Sequence, residues 1–99
     1  MTFFLSFTPS ARQELKELKD SAHLEKRFKA VSKALKYLAA NLRHPGLQTH
    51  PYTSLVGPHG EKVFEAYAEQ NTPAAYRIFF HYGPLKEMIS IISIERHPD

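Results

Sequence analysis

Apolar residues recur at helical spacing between positions 24 and 42. They are Leu24, Phe28, Val31, Leu35, Leu38 and Leu42. This spacing places them on one face of an α-helix and leaves the charged residues on the other face. Asn41, Pro45 and Gly46 follow at the end of the pattern and are typical of a helix terminus. The pattern therefore predicts a helix whose apolar face packs on a core.

A shorter helix is predicted over residues 9–20. The apolar residues that keep helical spacing there are Ala11, Leu15 and Leu18. Thr8 is suited to cap the N-terminus, and Pro9 suits the first helical position because its missing N–H has no helical partner there. The preceding segment TFFLSF, residues 2–7, predicts a strand. Because the link between the two helices is short, we expect an antiparallel helical hairpin.

Three segments in the second half of the chain predict strands. They are KVFEAYAEQ (62–70), AAYRIFFHY (74–82) and MISIISIER (88–96). The last segment is almost continuously apolar, so we expect it at or near the centre of the sheet. Residues 43–60 contain three prolines and three glycines. This composition predicts a connecting loop with no more than a short extended piece near Leu55.

The predicted elements follow the order β-α-α-β-β-β within one domain, residues 1–99. A chain of this length is large enough for one hydrophobic core. A helical pair followed by a run of strands is typical of the α+β class. We therefore predict an antiparallel sheet with the N-terminal helical hairpin packed on one face.

Composition narrows the possible chemistry. The absence of cysteine from the sequence excludes disulfides and thiolate metal sites. Neither a membrane-spanning run nor a signal peptide is recognisable, so we expect a cytoplasmic protein. The net charge is +3, and the stretch from Lys26 to Arg43 contains six basic residues and no acidic one. A basic surface of this kind suits a polyanion or an acidic protein partner.

Four lysines of the predicted second helix share one face. Lys26, Lys29, Lys33 and Lys36 recur at steps of three and four residues. Such a stripe can follow a phosphate backbone without reading its sequence. It can equally receive an acidic protein segment or serve solubility alone.

Arg77 is the charged residue within the strand AAYRIFFHY. Period-two alternation turns one set of residues toward the helices, namely Ile78, Phe80 and Tyr82. Arg77, Phe79 and His81 are then predicted to lie on the opposite, open face. A planar guanidinium binds two phosphate oxygens at once, so phosphate binding is one interpretation. The other is an ion pair with Glu65 or Glu69 on the neighbouring strand.

Glu65, Tyr67 and Glu69 are predicted to share one face of their strand. The residues predicted to face the core are Phe64, Ala66 and Ala68. A glutamate suits deprotonation of a ribose hydroxyl, and a tyrosine ring suits stacking on a base. Pairing of Glu65 with Arg77 is the structural alternative and the favoured interpretation. The histidines of the predicted loop, His44, His50 and His59, lack the spacing of metal ligands, so no metal site is predicted.

Four segments, taken in order, resemble a known family. They are FTPSARQEL, NLRHPGLQTHPYTSLVG, AYRIFF and ISIISIERHPD. Together they are similar to the RelE/ParE superfamily of toxins from bacterial type II toxin–antitoxin systems. The first resembles the family's opening strand and helix, and the last resembles its closing strand with a terminal histidine.

The resemblance implies a toxin held by an antitoxin protein, and a metal-independent, cofactor-free mRNA endonuclease acting on the ribosome. In such an enzyme Arg77 stabilises the scissile phosphate and His97 performs acid–base work. Glu65 and His81 are further candidates for proton transfer. The predicted nucleic-acid-binding residues are Lys26, Lys29, Lys33, Lys36, Tyr67 and Arg96.

Two alternatives stay open, because the superfamily contains more than nucleases. The family's endonucleases are usually rich in Lys and Arg on the strand where this sequence has Glu65 and Glu69. A non-catalytic, ParE-like gyrase inhibitor and a non-toxic binding domain of the same fold are therefore the other hypotheses.

Overall fold

Two helices and five strands form the described part of the protein. The computed structural model describes residues 2–70 and 74–96. In chain order the elements are β1 (Phe4–Phe7), α1 (Pro9–Asp20), α2 (Glu25–Ala40), β2 (His50–Val56), β3 (Lys62–Tyr67), β4 (Tyr76–Tyr82) and β5 (Met88–Arg96). Short 3-10 turns at Ala22–Leu24 and Pro45–Leu47 precede α2 and β2. Within the described ranges, no helix is long and apolar enough to cross a membrane.

The predicted beginning of α1 is confirmed. The hydroxyl of Thr8 accepts a hydrogen bond from the N–H of Ala11 at 3.1 Å, and Pro9 occupies the first turn. The same hydroxyl donates to the carbonyl of Ile92 in β5 at 2.7 Å. One side chain therefore caps the helix and attaches it to the sheet.

The core lies between the helices and one face of the sheet. The helix α2 buries Val31, Ala34, Leu35 and Leu38, all on the apolar face that its spacing predicts. The main buried contributions of the sheet are Ala66, Ile78, Phe80, Ile89, Ile91 and Ile94. Phe64 and Ala68 also pack against this cluster, as predicted. The packing of a helical pair on one sheet face is thus confirmed.

The α+β class is confirmed, but the sheet is mixed and has five strands, in the order β1-β5-β4-β3-β2. β1 pairs in parallel with β5, with Phe4 opposite Met88 and Phe7 opposite Ile91. The prediction of an all-antiparallel sheet is wrong because it omitted β2. Six links between consecutive helices and strands lead from β1 to β5. When each link reverses the direction of the chain, an even number of reversals leaves β1 and β5 parallel. Without β2 there are five links.

The strand β2 lies where a loop was predicted. It pairs with β3 at both ends, His50 opposite Glu65 and Val56 opposite Lys62, and its register shifts between Pro51 and Val56. An edge strand tolerates proline, because one side of it needs no N–H donors. Pro51, the one proline within β2, is therefore compatible with a bulged edge strand, and Pro45 and Pro58 lie outside the strand.

The strands β4 and β5 occupy the interior of the sheet, as predicted for the closing strand. Ile78 and Phe80 face the helices and belong to the core. Tyr82 is less enclosed than predicted, since 44% of its surface is exposed. Its ring nevertheless packs edge-on against Phe64 and Phe80.

Candidate functional site

The sheet face opposite the helices is not open at the predicted site. Glu65, Arg77 and His81 lie on this face, yet only 3%, 9% and 4% of their surfaces are exposed. The prediction that Arg77 lies on an open face is therefore wrong about exposure, although the side of the sheet is correct.

The bulged middle of β2 covers this face. The ring of Tyr52 lies 4.8 Å from the ring of Phe79, although β3 separates the two strands in the sheet. Tyr52 and Leu55 also line a small cavity together with Glu95 of β5. The edge strand therefore reaches past β3 to contact Phe79 of β4.

The guanidinium of Arg77 contacts four neighbours, one of which is the backbone carbonyl of Tyr76, 3.4 Å from Nη1. Its central carbon lies 3.7 Å from the ring centroid of Tyr67, which is a close cation–π contact. Its Nη1 donates to the backbone carbonyl of Glu69 at 2.9 Å. Its Nε lies 3.8 Å from Oε2 of Glu65. The ion pair with Glu65 is thus present, at a separation too long for a hydrogen bond.

Glu65 also contacts an imidazole on the edge strand. The Nε2 of His50 lies 2.8 Å from Oε1 of Glu65, and its Nδ1 lies 2.7 Å from the carbonyl oxygen of Gln48. The ring of His50 therefore bridges the Glu65 carboxylate and the Gln48 backbone through its two nitrogens. The side chain of His50 is 42% exposed. We refer to Glu65, Arg77 and His50 as the charged cluster.

Several buried polar atoms of this sheet face have no hydrogen-bond partner within the described residues. They are Oε2 of Glu65, Nε of Arg77 and Oγ of Ser93. Ser93 lies opposite Phe79 across the β4–β5 ladder, so it shares the face of the cluster. Buried polar atoms are nearly always hydrogen-bonded, and the exceptions call for an explanation such as ordered water, stored strain or function.

Glu69 contacts Arg77 through its backbone carbonyl rather than its carboxylate. Its Oε1 accepts from the N–H of Tyr76 at 3.0 Å and lies 3.9 Å from Nε of Arg27. The alternative ion pair of Arg77 with the Glu69 carboxylate is therefore not formed, because that side chain instead caps the beginning of β4.

The other predicted proton-transfer residues lie apart from the cluster or beyond the described chain. Nδ1 of His81 donates to the carbonyl of Tyr82 at 2.9 Å. In the described part of the chain, no hydrogen bond or ion pair joins His81 to Glu65 or Arg77. Arg96 is exposed at the end of β5. His97 lies outside the described residues.

The predicted lysine stripe lies on the exposed surface of α2. Its members are Lys26, Lys29, Lys33 and Lys36. Lys29 forms a surface ion pair with Glu25 at 3.2 Å, and Nζ of Lys33 lies 5.7 Å from the ring centroid of Tyr37. The stripe belongs to the helical layer, whereas the charged cluster lies on the sheet face opposite the helices.

The three histidines of the predicted loop do not converge. His44 stacks on Tyr37 with ring centroids 3.9 Å apart, and His59 lies 3.6 Å from the Glu61 carboxylate. Over residues 2–70 and 74–96, no group of three or more His, Asp or Glu side chains is arranged to hold a metal ion.

His50 and Tyr52 are site residues that the sequence did not single out. Their signal is the two-residue step within HPYTSLV, which places both on one face of a strand. The prolines and glycines around them outweighed this signal and favoured a loop.

Comparison with known proteins gives structural matches but no sequence matches. No protein-family model and no curated protein matches the sequence. Solved structures do match. The YoeB dimer from Staphylococcus aureus has a TM-score of 0.64 at 15% identity, covering 99% of this chain and 100% of that one. The YoeB/ParE toxin from Agrobacterium tumefaciens has a TM-score of 0.63 at 11% identity, covering 95% and 98%.

A third match is the archaeal RelE–RelB complex from Pyrococcus horikoshii, with a TM-score of 0.57 at 18% identity, covering 97% of this chain and 96% of that one. Each of the three matches covers at least 95% of this chain and at least 96% of the matched chain, so the likeness extends over nearly the whole of both. The protein therefore shares the fold of these YoeB, YoeB/ParE and RelE structures.

Proposed function

We propose that the protein is the toxin of a toxin–antitoxin pair and that it cleaves RNA at the charged cluster. The supporting observation is the cluster itself, in which a carboxylate, a guanidinium and an imidazole meet on one sheet face of a toxin fold. The proposed substrate is mRNA on the ribosome, in the cytoplasm. Cleavage requires neither a metal nor a cofactor.

The energetic cost of the cluster supports a functional role. A buried ion loses several kcal/mol of hydration free energy. Attraction to an oppositely charged partner offsets this loss only when the geometry of the pair is good. Here Nε of Arg77 and Oε2 of Glu65 are 3.8 Å apart, and neither has a hydrogen-bond partner in the described chain. Charged groups kept under such conditions concentrate at functional sites.

The cluster contains the groups that cleavage by a ribose hydroxyl needs. Glu65 accepts the proton of the 2′-hydroxyl, whose oxygen then bonds to the adjacent phosphorus while the bond to the 5′-oxygen breaks. The products are a 2′,3′-cyclic phosphate and a 5′-hydroxyl that takes its proton from an imidazole. Arg77 stabilises charge on the non-bridging oxygens. The candidate proton donors are His50, His81 and His97, and of the two within the described residues His50 is the one joined to Glu65.

Phosphate binding by Arg77 requires one of its contacts to change. The 3.8 Å contact of Nε with Glu65 is the longest polar contact of Arg77 and is not a hydrogen bond, so we propose that an incoming phosphate oxygen replaces this contact. The stacked ring of Tyr67 keeps the guanidinium in place meanwhile. We therefore assign Tyr67 to positioning Arg77, and not to stacking on a base.

The lysine stripe and Arg96 are proposed to contact phosphates. The stripe lies on the helical layer, so we assign Lys26, Lys29, Lys33 and Lys36 to ribosomal RNA. Arg96 lies at the end of β5, beside the cavity that Tyr52 and Phe79 line, and is proposed to contact the cleaved strand.

An antitoxin is the proposed protein partner. The archaeal neighbour is described as a complex of RelE with RelB. In this protein the edge strand β2 exposes Leu55 and Val56. An extended antitoxin segment can add to such an edge through backbone hydrogen bonds.

One observation favours a second candidate, a toxin that binds a target such as DNA gyrase without catalysis. Arg77 is buried and engaged, and the carboxylates of Glu65 and Glu69 on or next to β3 repel a phosphate backbone. A non-toxic binding domain of the same fold is a separate, third hypothesis.

Replacement of Arg77 by lysine separates the candidates, because lysine keeps the charge and loses the planar fork. Wild-type expression is expected to arrest growth and to produce new 5′ ends in mapped mRNA. We expect Arg77→Lys and Glu65→Gln each to reduce these cuts about 100-fold. Arg12→Lys, at an exposed arginine on α1, is the matched control and should cut like wild type.

Melting temperatures of the purified variants show whether loss of cutting reflects unfolding. Growth arrest without new 5′ ends contradicts the endonuclease and supports the binding toxin. Folded protein that neither arrests growth nor cuts mRNA contradicts both and supports a non-toxic binding domain.

A further inference from the structure

A cavity of about 790 Å³ opens between the end of α2 and the beginning of β2. Phe3, Phe64 and Tyr82 form its aromatic wall. The ring centroid of Tyr82 lies 6.3 Å from that of Phe3 and 5.3 Å from that of Phe64. Tyr82 is exposed, so the wall presents ring surface that the protein core does not use.

The rim of this cavity provides hydrogen-bond donors and positive charge. Arg43 is exposed, and its guanidinium makes no hydrogen bond or ion pair with any described residue. The Nδ1 of His44 accepts from the N–H of Gly46 at 3.0 Å, so its Nε2 carries the proton of the neutral ring. No Asp or Glu occurs among the described residues that line the cavity. The site therefore suits an anion that also has a flat apolar part.

The cavity continues toward the charged cluster and toward the lysine stripe. His50 belongs to the lining, and its Nε2 bonds to Glu65. On the other side His44 stacks on Tyr37, over whose ring Lys33 lies. A linear ligand in which anionic and planar groups alternate can therefore lie across the cavity and reach the charged cluster.

We infer that this cavity is a binding subsite for single-stranded RNA, with one base against the ring of Tyr82 and a neighbouring phosphate at Arg43. Ring stacking combined with cationic contacts is the usual way in which proteins hold an unpaired nucleic-acid strand. A duplex keeps its base faces stacked on each other and cannot use the aromatic wall. The inference rests on the proposed function, since it locates where that substrate is held beside the cleaved bond.

The test measures binding separately from cleavage. A short fluorescent single-stranded RNA, 2′-O-methylated throughout, cannot be cut by 2′-hydroxyl attack and is titrated with protein by anisotropy. Tyr82→Leu, which removes the ring but keeps apolar bulk, should weaken binding about tenfold. Arg43→Ala should weaken binding and lower the slope of log Kd against log salt by about one.

Two matched controls accompany these variants. Tyr82→Phe keeps the ring and Arg12→Ala removes an exposed arginine elsewhere, so both should bind like wild type. Unchanged binding by Tyr82→Leu and Arg43→Ala overturns the inference, and so does equal affinity for the matching duplex or no RNA binding at all.

The anisotropy titration and the mapping of mRNA 5′ ends can fail independently of each other. If new 5′ ends appear but the two variants bind normally, the subsite is wrong and the endonuclease stands. If the variants lose binding but mRNA stays intact, the subsite stands and the endonuclease is wrong.

Discussion

The carboxylate of Glu14 connects α1 to β5. Its Oε1 accepts a hydrogen bond from the backbone N–H of Ile94 at 2.9 Å. Burial raises the pKa of Glu14 above its ordinary value of 4.5, the hydrogen bond from Ile94 lowers it, and the nearby Glu95 and Glu17 raise it again. The net shift is upward, so the folded protein binds a proton here more tightly than the unfolded chain.

Replacement of Glu14 by glutamine is expected to stabilise the protein at neutral pH. Glutamine keeps the acceptor for Ile94 and removes the charge that burial and two carboxylates oppose. Because the folded pKa is raised, the stabilising effect of the protonated carboxyl is complete below about pH 4.5 and is lost as pH rises through the folded pKa.

Thermal melts of wild type and Glu14→Gln across this range provide the measurement. The difference in melting temperature should be small in acid and should grow to a plateau as pH rises. Glu17→Gln, at an exposed carboxylate on the same helix, is the control and should show a smaller change. A variant less stable than wild type at pH 7 contradicts the prediction.

At the scale of residues, the sequence predicted the partner of Arg77 but not its surroundings. Period-two alternation is enough to place Glu65 and Arg77 on the same face. The contact of His50 with Glu65 depends on the register of a strand that was taken for a loop. The contact of Tyr52 with Phe79 depends on a register shift in β2, which no residue spacing encodes.

At the scale of elements, the join between β1 and α1 depends on one hydroxyl. Thr8 accepts from the N–H of Ala11 and donates to the carbonyl of Ile92. These two bonds fix both the first turn of α1 and its position on the sheet.

Thr8→Ala removes both bonds and is expected to lower the free energy of unfolding by about 1–2 kcal/mol. Thr8→Ser retains the hydroxyl and should stay within about 0.5 kcal/mol of wild type. Urea unfolding of both variants measures the difference. Equal losses in the two variants show that the methyl group, and not the hydroxyl, stabilises this join.

The helices were predictable because their signal is local. The spacing of apolar residues defines α2, and the Thr8–Pro9 pair marks the beginning of α1. Strand pairing is non-local, and omission of β2 changed both the strand count and the direction of β1 relative to β5. A single missed strand thus made the predicted strand topology wrong, while the predicted α+β class was correct.

At the scale of the whole molecule, one core holds the helices, the sheet and the segment between α2 and β2 together. Leu47 lies in that segment, within the 3-10 turn, and is fully buried in the core. Its side chain anchors the segment that precedes β2 in the core, next to the strand that carries His50.

Leu47→Ala is expected to lower the free energy of unfolding by about 2–5 kcal/mol, because it leaves a cavity in the core. Leu85→Ala, at an exposed leucine in the β4–β5 turn, is the matched control and should change it by no more than about 0.5 kcal/mol. Denaturant unfolding measures both. A loss below about 0.5 kcal/mol at Leu47 contradicts its assignment to the core.

The parallel pairing of β1 with β5 has a consequence for folding during synthesis of the protein. β1 is translated early, but its neighbour in the sheet comes from the last strand, and the bond between Thr8 and Ile92 spans 84 residues. Contacts between such distant segments form late. The nascent chain therefore cannot complete its sheet until β5 has left the ribosome, so any activity that requires the finished sheet begins only after β5 has been synthesised.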